Sequence, residues 1–248
     1  MIALALAFFA TAALYAIAGF GGGSTYTALL ILAGTDFRAV PTLSLACNIL
    51  VVSVGTWRFA QAGHLDWRRV WPLFVTSVPA AWIGGRLVVE RELFVGLLAG
   101  SLLVAGLTML WQPYWKREIE PAPGPRWIEP MAGGGLGFLA GVVGIGGGIF
   151  LAPLLYLLRW GSPRRIAATC AAFILLNSIS GLAGQASKGL GAAAAVIGEH
   201  GLLFPAVLLG GVLGASLGSR QIDAKWVRMV TALLILYVAV RLGREVIG

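Results

Sequence analysis

The chain has 248 residues, 58% of them hydrophobic and 11% charged, with a mean hydropathy of +0.88. A soluble domain of this length carries about a quarter charged residues, so the composition excludes a water-soluble fold and indicates an integral membrane protein. The net charge of +8 argues for no nucleic-acid partner, because the arginines sit in short loops between apolar runs, where charges set topology.

The apolar runs predict helices, since they approach the roughly 20 residues a crossing needs and lack the polar alternation of an outer-membrane barrel. No Lys or Arg precedes the first run, which argues against a cleaved signal peptide and makes Met1 onward part of the mature fold. The first half is expected to hold helices over 1–19, a half-helix over 24–34, then 39–58, 70–87 and 93–112. Between the first two lies Gly19-Phe20-Gly21-Gly22-Gly23. Glycine costs about 1 kcal/mol per residue against alanine inside a helix, so this run marks a break. From Trp111 to Pro130 the prolines 113, 121, 123, 125 and 130, together with several charges, predict a linker loop. The second half repeats the order over 130–144, a half-helix 149–158, then 165–187, 200–220 and 225–243, with Gly144-Ile145-Gly146-Gly147-Gly148 as its break. The domain division is therefore 1–112, 113–129 and 130–248.

The second half is a copy of the first. A shift of 125 positions lays Gly21 to Gly23 on Gly146 to Gly148, Ser44 on Thr169 and Ser53 on Ser178. After an insertion of eight residues near Gly189 to Gly198 the shift becomes 133, laying Pro72 on Pro205 and Gly85 on Gly218. Charge decides how the copies lie in the bilayer. If every run simply crosses, the basic residues divide almost evenly. If the chain turns back at each glycine break, one side holds Arg58, Arg68, Arg69, Lys116, Arg117, Arg126, Arg159, Arg164, Arg165, Arg220, Lys225 and Arg228. The other side keeps Arg38, Arg86, Arg91, Lys188, Arg241 and Arg244, a division of 12 to 6 in the sense of the positive-inside rule. The half-helices agree, because 11 residues at 1.5 Å each cover only roughly 16 Å. The expected fold is an all-α polytopic membrane protein of two inverted repeats. Each repeat is a glycine-broken first element followed by three transmembrane helices, and both termini lie on the non-cytoplasmic side.

Inverted repeats with broken helices are the usual build of secondary transporters, with substrate near the midplane where the breaks meet. The candidate binding residues follow from that geometry. Gly21, Gly22, Gly23, Gly146, Gly147 and Gly148 open the half-helices, whose N-termini present unpaired N–H groups and a partial positive charge suited to an anion. Ser24 and Thr25 add hydroxyls at one cap. Ser44 and Asn48, four apart, share a helix face, as do Thr169 and Asn177, eight apart. Bland readings compete with each. The glycines can serve close helix packing, Ser and Thr can bond their own backbone, Asn can tie helices together, and Cys47 and Cys170 read as packing residues. Arg86 and Arg220 read first as snorkelling anchors, and His64, His200 and Glu199 as interfacial or loop groups. Tryptophans 57, 67, 71, 111, 115, 127, 160 and 226 stand beside charged loops and predict an interfacial belt. No Asp, Glu, Lys or His falls in the middle of an expected span, so no carboxylate proton relay or catalytic triad is visible. No enzyme activity, cofactor or metal is expected.

The duplicated G-x-G-G-G opening, the helices bearing Ser44 or Thr169 after a basic loop, and the small-residue runs ending Gly84-Gly85-Arg86 and Gly214 through Gly218 to Arg220 together resemble the TauE/SafE family of sulfite and organosulfonate exporters. The resemblance covers nearly the whole chain. It implies an inner-membrane permease whose partner is a small sulfur oxyanion, such as sulfite or sulfoacetate, with room for a coupling ion of unspecified identity. The chain departs from symmetry where Ser24 and Thr25 face Ile149 and Phe150, giving a lopsided site that suits an anion with an organic tail. Export by alternating access is the leading expectation. An anion channel of the same architecture, a non-transporting membrane scaffold and an intramembrane enzyme are the alternatives, the last lacking the polar residues chemistry needs.

Overall fold

Glycine and proline set the element boundaries within long apolar runs. The structure, a computed structural model, describes residues 1–18, 20–111, 127–217 and 224–247. Gly19, most of the expected linker, Gly218 and Arg220 lie outside the described residues. The helices are α1 (Ile2–Ala18), α2 (Gly23–Leu32), α3 (Val40–Gln61), α4 (Trp67–Arg86), α5 (Arg91–Trp111), α6 (Ile128–Val143), α7 (Gly148–Leu157), α8 (Pro163–Ala186), α9 (Leu190–Glu199), α10 (Leu203–Leu217) and α11 (Ala224–Ile247). Pro41 and Pro163 occupy first turns, where a missing N–H costs nothing, and the Ser162 hydroxyl caps α8 by accepting from the Arg165 N–H at 3.4 Å. Gly144 ends α6 in the left-handed region at φ 83°, which glycine alone adopts without strain.

Among the described residues, α3, α5 and α8 are each long and apolar enough to cross a membrane, and α9 with α10 would make a fourth span if counted as one. The one departure in element order is α9. The eight-residue insertion is helical, and its axis bends 72° from that of α10. Its run of alanines favours a helix, but ten residues fall short of a crossing, so periodicity did not separate it from a loop.

The packing interlaces the two halves. In the first half α1 lies against α10 of the second, and α4 lies against α6 and α8. Helix α3 joins α8 and α10, and α5 pairs with α11. Exchanging each helix for its counterpart in the other half maps this pattern onto itself. Two glycine seams hold it. On α6, Gly133, Gly137 and Gly141 meet the carbonyls of Leu73, Ser77 and Ala81 on α4. On α10, Gly210 and Gly214 meet the carbonyls of Phe9 and Ala13 on α1. A four-residue spacing keeps such glycines on one face, so backbones approach with no side chain between them. Hydroxyls tie the same helices, with Thr76 Oγ1 donating to the Pro130 carbonyl at 2.7 Å and Ser180 Oγ to Val78 at 2.6 Å.

Gly141→Leu should lower stability by about 1–3 kcal/mol or prevent folding, because its side chain would meet α4 backbone that cannot yield. Gly135, on the same helix, is exposed with nothing within 4 Å of an added Cβ, so Gly135→Leu should stay within about 0.5 kcal/mol. Thermal unfolding of the purified variants compares the two.

Candidate functional site

Both broken pairs turn back on themselves. Met1 and Leu4 of α1 line the same cavity as Ala33 to Phe37 beyond α2. At the other break, Glu129 in the first turn of α6 accepts a hydrogen bond at 3.0 Å from Nε1 of Trp160, just past α7. The start and end of each pair therefore lie together, and each glycine run is the tip of a hairpin.

The two tips meet. Ser44 Oγ on α3 stands 3.1 Å from the Gly23 carbonyl of the first break and 2.8 Å from the Gly144 carbonyl of the second, in position to donate to either. Thr27 Oγ1 lies 3.1 Å from Ser44 Oγ and 2.7 Å from the Gly23 carbonyl. Asn48, one turn further along α3, is fully buried between the tips. A Cβ on Gly21 would lie 2.8 Å from Asn48 Oδ1, and one on Gly146 would lie 3.0 Å from its Nδ2. A Cβ on Gly23 would lie against Asn48 Nδ2 and 2.5 Å from the Ile145 carbonyl. The glycines of the first break are thus there for space. Gly147 also needs its left-handed backbone, at φ 76°, to open α7. Neither half-helix has a side-chain cap, though in α7 the Phe150 N–H already bonds the Gly147 carbonyl at 3.1 Å.

Several buried polar atoms at this junction have no hydrogen-bond partner. They include both amide atoms of Asn48 and of Asn177, and the hydroxyls of Ser178 and Tyr26. Ser178 Oγ would lie 3.4 Å from a Cβ on Gly146, and Tyr26 packs against Gly22. Burying a polar group unpaired costs about 1–3 kcal/mol, and such groups are rare unless something else satisfies them. All of these groups are neutral. Together they offer amide and hydroxyl donors without a fixed charge.

The expected residues divide into four groups. Ser44, Asn48 and the six glycines come together at the tips, and Gly148 is packed against Ile174. Asn177 is buried and unpaired on α8, the helix whose Ile174 and Ser178 also approach Gly146. Thr169 stays apart, its hydroxyl donating to the Arg165 carbonyl of its own helix at 2.9 Å. Ser24 and Thr25 are occupied by a residue that sequence reasoning passed over. Tyr15 Oη lies 3.1 Å from Ser24 Oγ and 2.9 Å from Thr25 Oγ1, clamping α1 to the first turn of α2. Its only signal was a tyrosine four residues before the glycines. Cys47 and Cys170 are buried and free.

Lopsidedness extends well beyond the cap. Tyr15, Ser24, Thr25, Tyr26, Thr27 and Asn48 correspond, at a shift of 125, to Ala140, Ile149, Phe150, Leu151, Ala152 and Phe173. At these six positions the first half is polar and the second apolar, Asn177 and Ser178 being the polar groups that α8 adds.

A cavity of about 1330 Å³ leads toward the junction from the side of Met1 and the 34–38, 87–91 and 188–200 loops. It ends at Pro41, Thr42, Val142 and Gln185, with Pro41 Cα 2.6 Å from where a Cβ on Gly144 would stand. Trp57, Trp67, Trp71 and Trp127 are more than half exposed, as an interfacial belt requires, but Trp160 is only 3% exposed. Its indole bonds Glu129 while the Arg69 guanidinium sits 4.5 Å above the ring centroid. Trp160 is therefore packed between α4, α6 and the end of α7, which its neighbouring charges did not reveal.

The family model described as "Sulfite exporter TauE/SafE" matches residues 3–242. A "Probable membrane transporter protein" of Sinorhizobium fredii is 32% identical over 247 residues, 97% of this chain and 97% of its own length. A second, from Methanocaldococcus jannaschii, is 26% identical over 175 residues, covering 66% of this chain and 64% of its own. No solved structure matches. Transporter relatives and apolar helices together make this a multi-pass membrane protein.

Asn48→Leu and Asn177→Leu should leave thermal stability unchanged or higher, because each removes polar atoms that are already unpaired. Ser44→Ala should cost about 1–3 kcal/mol by stranding the buried Gly144 carbonyl, since Thr27 still reaches that of Gly23. Unfolding midpoints of the three variants give the comparison.

Proposed function

The chain belongs to the sulfite exporter TauE/SafE family, and on that premise we propose that it is a secondary transporter of small sulfur oxyanions, sulfite or organosulfonates such as sulfoacetate. The observation that carries this is the meeting of two hairpin tips at a buried, unpaired Asn48. Uncapped half-helix N-termini provide partial positive charge beside it, and neutral amides provide directional donors. The apolar wall formed by Ile149, Phe150 and Phe173 favours an anion that carries an organic tail.

The two halves lie inverted in the inner membrane with both termini outside, the arrangement the division of basic residues favours. The cavity, with Arg38, Arg91 and Lys188 in its lining, then opens to the non-cytoplasmic face, and Trp160 lies on the cytoplasmic side. What favours a carrier over a channel is that the tips are packed together, with Asn48 fully buried between them. The bodies that move against each other are built on the interlaced pairs α1–α10 and α4–α6 rather than on the two halves of the sequence, since a glycine seam joins each pair. Helices α3 and α8, which pack on each other and on those pairs, are where the tips sit.

Flux of labelled sulfite and sulfoacetate into or out of proteoliposomes tests the reading, and saturable flux is expected. Gly22→Leu meets Tyr26 and Thr11, and Gly147→Leu meets Phe173, so each should abolish flux while the protein remains inserted. Asn48→Leu should weaken apparent affinity by the equivalent of one hydrogen bond, roughly 1 kcal/mol or more. No saturable flux of either anion under any imposed gradient would remove the proposal.

A further inference from the structure

The lining of the cavity holds a cation that is bonded to a buried amide. Lys188 lies two residues beyond α8 and lines the cavity together with Gln185. Its ammonium donates to Gln185 Oε1 at 2.9 Å, and Gln185 Nε2 donates to the Gly141 carbonyl at 3.3 Å. These two bonds fix which way the buried Gln185 amide points. They also connect the ammonium to the last turn of α6, three residues before Gly144. Among the described residues, no carboxylate lies within ion-pairing distance of Lys188.

The other charged groups of the lining are Asp36, Arg38, Glu90, Arg91, Glu199 and His200, all in loops or at helix ends. Asp36 Oδ1 accepts from the Arg38 N–H at 3.0 Å, and the Arg38 guanidinium lies 5.5 Å from the Phe37 ring centroid. Lys188 differs from these in being hydrogen-bonded to a buried amide, that of Gln185. The residue remains open to the cavity, yet partial burial of the ammonium lowers its pKa below the usual lysine value. An ammonium carries three donors, and Gln185 engages one of them. A positive charge held without a counter-charge in the lining of a cavity is stabilised by an anion that brings one.

We propose that Lys188, positioned by Gln185, is an outer subsite that binds the oxyanion in the cavity before it reaches the junction at Asn48. The inference rests on the reading of the protein as an anion transporter and adds a second station to it. The subsite is one-sided. At a shift of 125, Gln185 and Lys188 correspond to Ala60 and Gly63, so the first half builds no equivalent. An anion held there faces Pro41, Thr42 and Val142, the residues separating the cavity from Gly144. Because Gln185 bonds Gly141 as well, neutralising Lys188 alters the hold on the α6 end of the second tip.

Calorimetric titration of the full-length protein in nanodiscs with sulfoacetate, which stays ionised across the range used, tests the subsite. K188Q should weaken binding by about tenfold or more, the loss of one charge-assisted hydrogen bond, while K188R keeps most of it. Wild-type affinity should fall as pH rises from 7 toward 10 because Lys188 loses its proton early, whereas K188R, which does not titrate there, should show a flat profile. Unfolding midpoints of the ligand-free variants should match wild type, separating recognition from structural loss. K188Q binding as tightly as wild type, while Asn48→Leu binds weakly, would overturn the subsite and leave the transport reading intact. A fall with pH of equal size in K188R would also overturn it, by assigning the titration elsewhere. Wild-type protein that binds neither sulfoacetate nor sulfite would overturn both.

Discussion

A helix broken inside a bilayer releases backbone groups where no water is at hand to satisfy them. In this chain the demand arises twice, at Gly21 to Gly23 and at Gly144 to Gly148, and two hydroxyls answer part of it. Ser44 stands within reach of the Gly23 and Gly144 carbonyls from a single position on α3, its one proton serving one of them at a time, and Thr27 also reaches Gly23. That placement forces the tips into contact, and the contact forces glycine at each position facing α3. Asn48 then comes to lie between the tips, because it is one turn from Ser44 on the same face. Site and scaffold are the same set of constraints.

The glycine seams supply the second constraint. Apolar burial does not drive helices together in lipid as it does in water, so close backbone approach has to provide the attraction. Gly137 against Ser77 and Gly210 against Ala12 are the same contact in the two copies, made with glycine on opposite partners. The duplicated halves kept the geometry while exchanging which helix carries the small residue. Polar character went the other way. Tyr15, Tyr26, Thr27 and Asn48 come from the first half while the second brings only Asn177 and Ser178, so a scaffold that is symmetric in packing holds a junction that is asymmetric in chemistry.

Local signals were legible in the sequence, and long-range ones were not. Apolar runs, glycine breaks and prolines placed ten of the eleven helices to within a few residues, because each signal acts on its own stretch of chain. Ser44 and Asn48 were legible because a polar residue inside an apolar helix must answer to something. Thr169, read by the same rule, answers only to its own backbone at Arg165, an outcome that depends on rotamer and neighbours. Tyr15 was silent because an aromatic at a helix end suits either lipid or protein, and only the fold brings Ser24 and Thr25 to it. Trp160 next to Arg159 had the appearance of a belt residue, and its burial depends on Glu129 and Arg69, which are distant in the chain. Helix α9 hid in an insertion too short to span and too apolar to stand out as a loop.

Interlacing also fixes an order of assembly. Ala13 on α1 packs against Gly214 on α10, about 200 residues later in the chain. At synthesis rates of about 5–20 residues per second, α1 waits on the order of 10–40 s for that partner. Meanwhile the first hairpin tip faces lipid or translocation machinery with the Gly144 side of its junction not yet made. Tyr15 bonds within the same hairpin, to Ser24 and Thr25, so this clamp can close as soon as α2 emerges. The first half carries its own temporary closure, and the apolar second tip, which arrives with its partners already in the membrane, has less need of one.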